Sequence, residues 1–326
     1  MFCSCFYTPN PFGNKRVGQT RQGGDERTVD QASNLRKMMQ KENQRIQSQG
    51  GKRSLIHGGT GPRVFSVTSG KGGVGKTNIV ANLALAFTNM GKKVLIFDSD
   101  LGLANIDIIF GIYPKYNIGH VISGEKELID IIAETSSGIG IIPALSGQEN
   151  LSELSEGQKL ILLSEFETIE NVFDVVLVDT AAGISNNVIY FNLAAEECIV
   201  VVTGEPTSIT DAYGIIKVLF GHGAKHFKLL VNMVSDEDEA KSVYFTLNQA
   251  ASRFLKGAVT EYLGFVPADK KIRESVLART PLLEKFPDSP SGRAISRLAK
   301  KLLASPRRTD LDGNIKFFMQ RLLNIM

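Results

Sequence analysis

Residues 64–90 read VFSVTSGKGGVGKTNIVANLALAFTNM, in which a glycine-rich segment separates two apolar runs. The first run, 64–69, has the length and β-branched content of a buried strand, and the second, 77–90, is long enough for a helix. The segment between them, 70–77, fits the phosphate-binding pattern G-x-x-x-x-G-K-[ST]. The stretch therefore predicts a strand, a phosphate-binding loop and a helix, the opening unit of a nucleotide-binding α/β fold.

Each residue type in this loop suits a phosphate group. Glycines let backbone N–H groups turn toward phosphate oxygens, and the positive end of the following helix points to the same place. We expect Lys76 to pair with the β- and γ-phosphates and the Thr77 hydroxyl to ligate Mg²⁺. A second lysine, Lys71, is not required by the pattern. The predicted ATP-binding residues of the loop are Gly70, Lys71, Gly72, Gly73, Val74, Gly75, Lys76, Thr77 and Asn78.

Strand and helix patterns alternate along the rest of the chain. Apolar, β-branched runs typical of buried strands occupy residues 64–69, 93–100, 138–143, 173–179, 197–203, 228–234 and 258–267. Helical stretches occupy residues 77–90, 185–195, 209–220, 239–255 and 292–304. This alternation predicts an α/β fold: one mostly parallel β-sheet with helices on both faces and an active site beyond the carboxyl ends of the strands.

Three aspartates stand where predicted strands end. Asp179 ends FDVVLVD, and Asp98 and Asp100 end KVLIFDSD. Residues two apart on a strand share a face, so Asp98 and Asp100 can point toward one site. We expect Asp98 and Asp179 to hold Mg²⁺ with Thr77, and Asp100 to orient the attacking water. The competing interpretation of any one of them is a helix N-cap.

The composition is that of an ordinary soluble globular protein, with 43% hydrophobic and 22% charged residues over 326 positions. The net charge of +3 divides into +7 on residues 1–63, +6 on residues 293–326 and −10 between them. An acidic body with basic ends argues against direct binding of nucleic acid. The cysteines form no paired motif, no apolar run is long enough to span a membrane, and the first residues do not resemble a secretory signal. These features favour the cytoplasm.

The motifs together resemble those of the MinD/ParA family of dimerising ATPases, which belong to the SIMIBI class of P-loop NTPases. KGGVGKT (71–77), with its leading lysine, resembles the family's deviant Walker A motif. DSDLGLANID (98–107) resembles the first switch segment, and VDTAAGIS (178–185) the second, with Ala181 in place of the more usual proline. The resemblance covers about residues 63–304 and implies the family's fold.

Two further motifs resemble the adenine side of the family's nucleotide site. LVNMV (230–234) resembles the strand whose asparagine, here Asn232, contacts adenine. FVPAD (265–269) resembles the adenine-side loop and assigns Pro267 and Asp269 to it. The resemblance implies ATP and Mg²⁺ as cofactors.

The resemblance also implies how the ATPase works. Lys71 would reach across a face-to-face homodimer to the partner's phosphates, so that ATP holds the dimer together and hydrolysis dissolves it. The catalytic residues would be Lys71, Lys76 and Asp100. A lysine delivered in trans would neutralise charge in the transition state as an arginine finger does, and we expect hydrolysis to be slow until a partner protein stimulates it.

The N-terminal segment, residues 1–62, is predicted to be a flexible tail with a short helix at about 30–46. The sequence DQASNLR (30–36) resembles the N-terminal motif of the flagellar number regulators, a family called FlhG, FleN or YlxH. In that family the helix docks on FlhF, a signal-recognition-type GTPase, and stimulates its GTP hydrolysis. The residues assigned to FlhF binding are Asp30, Gln31, Leu35 and Arg36. The alternatives are an incidental tail helix and a tail that is merely solvated.

The C-terminal segment, residues 305–326, is predicted to be a linker and an amphipathic helix with basic residues beside its apolar face. The apolar face consists of Ile315, Phe318, Met319, Leu322, Leu323 and Met326. We expect this face to bind the inner membrane reversibly from the cytoplasmic side, with two copies in a dimer gaining avidity. The alternative is that the helix packs on its own domain, and both hold if ATP releases it.

These features predict an ATP-dependent, membrane-associating ATPase switch that regulates the number and placement of flagella together with FlhF. Basal-body or transcription-regulator proteins are possible further partners. A MinD-type division-site ATPase, a metal-cluster carrier, a DNA-partitioning ATPase and an ATP-gated scaffold with negligible hydrolysis are the alternatives. The tail motif argues against the first, the lack of paired cysteines in the body against the second, and the acidic body against the third. Only a turnover assay separates the scaffold from an ATPase.

Overall fold

A computed structural model of the protein describes residues 61–100, 105–143, 154–307 and 315–326. Its centre is a β-sheet with the strands β1 (Arg63–Ser69), β2 (Val94–Asp98), β3 (Ala133–Glu134), β4 (Gly140–Ile142), β5 (Val175–Ala182), β6 (Glu197–Thr203), β7 (His226–Val234) and β8 (Val259–Pro267). The strand order is β3-β4-β2-β5-β1-β6-β7-β8, and every neighbouring pair is parallel except β3 and β4. The predicted, mostly parallel sheet is confirmed, and all seven predicted strands are present.

Helices cover both faces of this sheet. They are α1 (Lys76–Asn89), α2 (Ile106–Phe110), α3 (Ile118–Ile122), α4 (Leu128–Ile131), α5 (Glu156–Thr168), α6 (Asn186–Ala194), α7 (Pro206–Gly221), α8 (Glu237–Phe254), α9 (Lys270–Leu277), α10 (Leu282–Lys285), α11 (Pro290–Ala304) and α12 (Ile315–Ile325). Helix α5 was not predicted, although it begins at a capping box in which Ser155 and Gln158 bond each other's backbone N–H groups.

The alternation of side chains along β2 separates the two faces. Ile96 packs on the face that carries α1 and α11, whereas Phe97 packs on the face that carries α5, α6 and α12. Both faces are apolar because both are covered, which is why the strands read as nearly continuous apolar runs. Asp98, the next residue, lies at the carboxyl end of β2, so it adjoins the predicted nucleotide site while its neighbour Phe97 adjoins the C-terminal helix.

The C-terminal helix α12 packs on the body of the protein. The apolar residues Ile315, Phe318, Met319, Leu322 and Leu323 are each at most 3% exposed, and Met326 packs on the same cluster. The Phe318 ring centroid lies 6.3 Å from those of both Phe97 and Phe191. The groove between α5 and α6 covers that face in this structure, so membrane binding by the helix stays a prediction that requires it to leave the groove. The packed alternative is what the structure shows.

Some predictions lie outside the described residues. They include the tail helix at about 30–46 with its FlhF-binding residues Asp30, Gln31, Leu35 and Arg36, and residues 101–104 of the first switch segment. Among the helices that are described, none has both the length and the apolar character needed to cross a membrane.

Candidate nucleotide-binding site

The phosphate-binding loop joins β1 to α1 and has the backbone that the glycines permit. Gly73 and Gly75 have φ angles of +82° and +84°, in the left-handed region that glycine adopts most readily. A Cβ on Gly72 or Gly73 would meet nothing within 4 Å, so the loop is open at both of these glycines. A Cβ on Gly75 would lie 2.5 Å from Asn232 Nδ2, and one on Gly70 would collide with the Asp211 carbonyl group. The loop is therefore an open cradle of the kind that binds phosphate.

Lys76 and Asp179 form a buried ion pair beneath the loop. The Lys76 Nζ lies 2.5 Å from Asp179 Oδ1, and both side chains are at most 8% exposed. The Thr77 hydroxyl also lies near enough to the Asp179 carboxylate to help lower the pKa of that group. Burial raises the pKa of Asp179, whereas the Lys76 ammonium group opposes that rise. The pair and the neighbouring Thr77 together include the predicted phosphate-binding lysine and two of the three predicted Mg²⁺ residues.

Asp98 is the third predicted Mg²⁺ residue. It is 2% exposed and lies directly opposite Asp179 in the register of β2 and β5. Its Oδ1 accepts a hydrogen bond of 3.0 Å from the Asp100 N–H, whereas its Oδ2 is buried and has no hydrogen-bond partner among the described residues. Burial, followed by the neighbouring Asp179, raises the pKa of Asp98 to about 8. A buried carboxylate oxygen without a partner is suited to binding a cation.

Asp100, Ser99 and Asn78 make hydrogen bonds that hold the backbone or the side chains of the predicted site. Asp100 is half-buried, and its backbone N–H donates the hydrogen bond that holds the Asp98 carboxylate. Ser99, which sequence analysis did not select, donates its hydroxyl to the Asp179 carbonyl oxygen at 2.9 Å and thereby holds the end of β2 against β5. Asn78 lies in the first turn of α1, where its carbonyl oxygen accepts a bond from Asn82. The catalytic role of Asp100 remains a prediction.

Lys71 contacts residues other than the Lys76–Asp179 pair. Its side chain is 38% exposed, and its Nζ lies 2.7 Å from Glu205 Oε2 and 3.0 Å from Thr207 Oγ1. Both partners stand at the start of α7, which directly follows β6. Neither Glu205 nor Thr207 was predicted as a site residue. The only signal for them in the sequence is that they follow a predicted strand. The trans role of Lys71 remains a prediction, and it requires this exposed contact to break.

The predicted adenine-side residues lie together at the ends of β7 and β8. Asn232 is 2% exposed; its Nδ2 donates to the Val74 carbonyl oxygen at 2.8 Å, and its Oδ1 has no partner among the described residues. Pro267 ends β8 beside Val234. Asp269 caps α9, because its two carboxylate oxygens accept bonds from the N–H groups of Lys271 and Ser291. Asp269 therefore shapes the loop as an N-cap, and its contact with nucleotide remains a prediction.

The site as a whole fits a nucleotide with Mg²⁺. The loop offers open backbone and a lysine for phosphate, while Asp98 and Asn232 each offer a buried oxygen without a partner, one near the predicted Mg²⁺ position and one near the predicted base. Thr77, Asp98 and Asp179 would hold Mg²⁺, which when bound supplies charge neutralisation at the phosphates. Lys76 would leave Asp179 for phosphate oxygens, an exchange of one anionic partner for another.

Comparisons with known proteins identify the family of the chain. Residues 62–303 match the family model described as "ParA: NUBPL iron-transfer P-loop NTPase". The antiactivator FleN of Pseudomonas aeruginosa is 41% identical over 80% of this chain and 93% of its own length. The flagellum site-determining protein YlxH of Helicobacter pylori is 35% identical over 81% of this chain and 90% of its own.

Solved structures show the same fold. MinD in the MinC:MinD cell division complex of Aquifex aeolicus has 27% identity and a TM-score of 0.60, covering 76% of this chain and 98% of that one. The septum site-determining protein MinD of Pyrococcus horikoshii, complexed with Mg-ADP, has 26% identity and the same TM-score, covering 74% and 96%.

The cysteine content bears on the words "iron-transfer" in the description of the matched family. The matched region contains one cysteine, Cys198, which is buried, and burial raises the pKa of its thiol to about 12. The described residues include no group of three or more histidine, cysteine or carboxylate side chains arranged to hold a metal ion. The phosphate-binding loop and the Lys76–Asp179 pair, by contrast, are both among the described residues. The chain belongs to the ParA/MinD family of P-loop NTPases and is an ATPase related to the FleN and YlxH flagellar proteins.

Proposed function

We propose that this ATPase is an ATP-dependent dimerising switch that regulates the number and placement of flagella. The observation that carries the proposal is the similarity to two flagellar proteins over nine tenths of their lengths, at 41% and 35% identity. The description of FleN as an antiactivator favours a transcription regulator among the partners, and that of YlxH as a flagellum site-determining protein favours a basal-body component.

Dimerisation would depend on Lys71. The exposed ion pair with Glu205 is weak, since such pairs contribute roughly 0–1 kcal/mol, so a partner's phosphates can take the lysine over at little cost. ATP, with its γ-phosphate, offers Lys71 more charge than ADP. The dimer would therefore form with ATP and dissociate after slow hydrolysis, in which Lys76 and Asp100 act on the nucleotide of their own subunit.

Membrane attachment would be reversible and would depend on nucleotide, because α12 docks on residues that adjoin both switch segments. Phe318 packs on Phe97, which directly precedes Asp98, and on Phe191, which lies on the helix that follows the second switch segment. A rearrangement of either segment around ATP would disturb these ring contacts and release the helix. The free apolar face, flanked by the basic residue Arg321, would then bind the cytoplasmic face of the cell membrane.

Liposome co-sedimentation tests this part of the proposal. The bound fraction should be larger with ATP than with ADP, and a chain lacking residues 315–326 should stay unbound with either nucleotide. An equal bound fraction of the full chain with ATP and ADP would refute gating by nucleotide.

The N-terminal tail would bind FlhF and stimulate its GTP hydrolysis. The DQASNLR motif at residues 30–36 supports this proposal by its resemblance to the FlhF-activating motif. We expect the full chain, and a peptide of residues 28–46, to stimulate GTP hydrolysis by FlhF. The Leu35→Ala/Arg36→Ala double variant is the matched control and should not stimulate it.

A MinD-type positioning of the division site is the second candidate function, supported by the likeness to solved MinD structures at 26–27% identity. The greater identity to the two flagellar proteins favours the flagellar function. Failure of the tail to stimulate FlhF would move the balance to the division-site function. An ATP turnover assay with and without lipid and FlhF would distinguish a switch that hydrolyses ATP from an ATP-gated scaffold with negligible hydrolysis.

A further inference from the structure

Met233 has a backbone conformation that methionine seldom adopts. Its φ angle is +60°, and in the part of the chain that the structure describes, only Met233 and Arg279 combine a positive φ with a side chain other than hydrogen. A left-handed conformation is unfavourable for such residues and persists where surrounding structure imposes it, commonly at ligand sites.

The surrounding structure is a bulge at the end of β7. Asn232 pairs with Val266 and Val234 pairs with Pro267, so the register of the two strands passes over Met233. The Ala268 N–H then donates to the Val234 carbonyl oxygen at 2.8 Å and closes the loop behind the bulge. A bulge changes the direction of the side chain it contains, and here the change is fixed on both sides by pairing.

The bulge directs Met233 over the phosphate-binding loop. Its Cε would lie only 3.1 Å from a Cβ built on Gly75, so the side chain covers that glycine. The residue nevertheless stays 45% exposed, which leaves much of its surface open beside the loop. Next to it, the buried Asn232 presents the Oδ1 that has no partner among the described residues. An exposed thioether and a buried polar atom thus stand side by side.

We propose that Met233 is a positioning and selectivity residue of the nucleotide site, whose thioether packs on the face of the purine base while Asn232 contacts its edge. The inference rests on the proposed binding of ATP. A flexible, polarisable sulfur makes favourable contacts with aromatic rings, and the fixed bulge presents it before the nucleotide arrives. The base, rather than the phosphates, is the part of the nucleotide that gains from this contact.

Isothermal titration of the full chain tests the inference, with Mg²⁺ present and ATP or inorganic tripolyphosphate as the probe. Met233→Asn keeps a residue type that tolerates the left-handed backbone but removes the apolar surface. We expect it to weaken ATP binding about fivefold, the factor that a sulfur–aromatic contact of about 1 kcal/mol gives, and to leave tripolyphosphate binding unchanged. Met233→Leu keeps an apolar side chain but loses the sulfur, so it should bind ATP more tightly than Met233→Asn and less tightly than the unmodified chain.

Arg279→Gly is the matched control, because it relieves the other left-handed residue on a different loop and should not alter affinity for either probe. An equal loss of ATP and tripolyphosphate binding in Met233→Asn would overturn the inference, because it would mean that Met233 supports the loop and not the base. Unchanged ATP binding in Met233→Asn would overturn it as well. Failure of the unmodified chain to bind ATP would instead refute the proposed function.

Discussion

Replacing Phe191 by alanine should release helix α12 without changing the helix itself. Phe191 lies on α6, is fully buried, and its ring contacts both Phe97, at a centroid distance of 5.4 Å, and Phe318, at 6.3 Å. Truncation of a buried phenylalanine to alanine costs about 3–5 kcal/mol, part of which is lost from the contact with α12. All residues that α12 would present to lipid remain in place, so the variant isolates docking from membrane affinity.

The magnitude follows from the equilibrium between docked and free α12. If about 3 kcal/mol of the loss falls on that equilibrium, the ratio of free to docked helix rises by about 100-fold, since each 1.4 kcal/mol is a factor of ten. The rise in free helix should appear as faster hydrogen exchange of the α12 amides and as binding of the nucleotide-free protein to anionic liposomes.

Ile189→Ala supplies the matched control on the same helix. Ile189 is buried in the cluster formed by α6, α7 and α8, away from α12, and its truncation costs a comparable 2–5 kcal/mol. We expect urea denaturation to show both variants destabilised, with α12 exchange and liposome binding raised only in Phe191→Ala. Equal exchange and equal liposome binding in the two variants would refute the docking mechanism.

Three further predictions concern the body of the protein. Lys76→Ala should lower the free energy of unfolding of the nucleotide-free protein by about 3–5 kcal/mol in urea denaturation, because it leaves Asp179 buried and unpaired. Adding Asp179→Asn should recover part of this loss. Strictly additive losses from the two substitutions would contradict the ion pair. Burial raises the pKa of Glu196, so the folded protein keeps a proton that the unfolded chain releases, and stability should fall as pH rises above about 4.5. Glu196→Gln should make the urea midpoint depend less on pH. An unchanged dependence of the urea midpoint on pH would contradict this role of Glu196. Cys198 should resist thiol reagents at pH 8 until the protein is unfolded, because burial raises the pKa of its thiol to about 12. Mass spectrometry of labelled peptides would measure this. Labelling of Cys198 in the native protein would contradict the prediction.

The sequence was informative where a single physical requirement determines the residues. Strands buried on both faces must be apolar throughout, which is why all seven predicted strands are present, and a phosphate loop must carry glycines where φ is positive, as Gly73 and Gly75 show. The two-residue strand β3 escaped prediction because two residues carry no periodicity. The start of α5, by contrast, is marked in the sequence by the capping box of Ser155 and Gln158.

Other features depend on tertiary packing and could not be predicted. The amphipathic pattern of α12 specifies an apolar face but not its partner, since a lipid surface and a protein groove satisfy the same pattern. The contact of Lys71 with Glu205 joins residues 134 positions apart, and the bulge at Met233 results from the pairing of β7 with β8. Neither leaves a local pattern in the sequence.

Sedimentation of the full chain with ATP, with ADP and without nucleotide tests the central claim most directly, with Lys71→Ala as the comparison. The account predicts a dimer of the unmodified chain with ATP and a monomer in the other two conditions. It predicts a monomer of Lys71→Ala with ATP, although that variant still binds the nucleotide through Lys76. Normal ATP-dependent dimerisation of Lys71→Ala would contradict the role assigned to Lys71, and the same mass of the unmodified chain with ATP and ADP would contradict the switch itself.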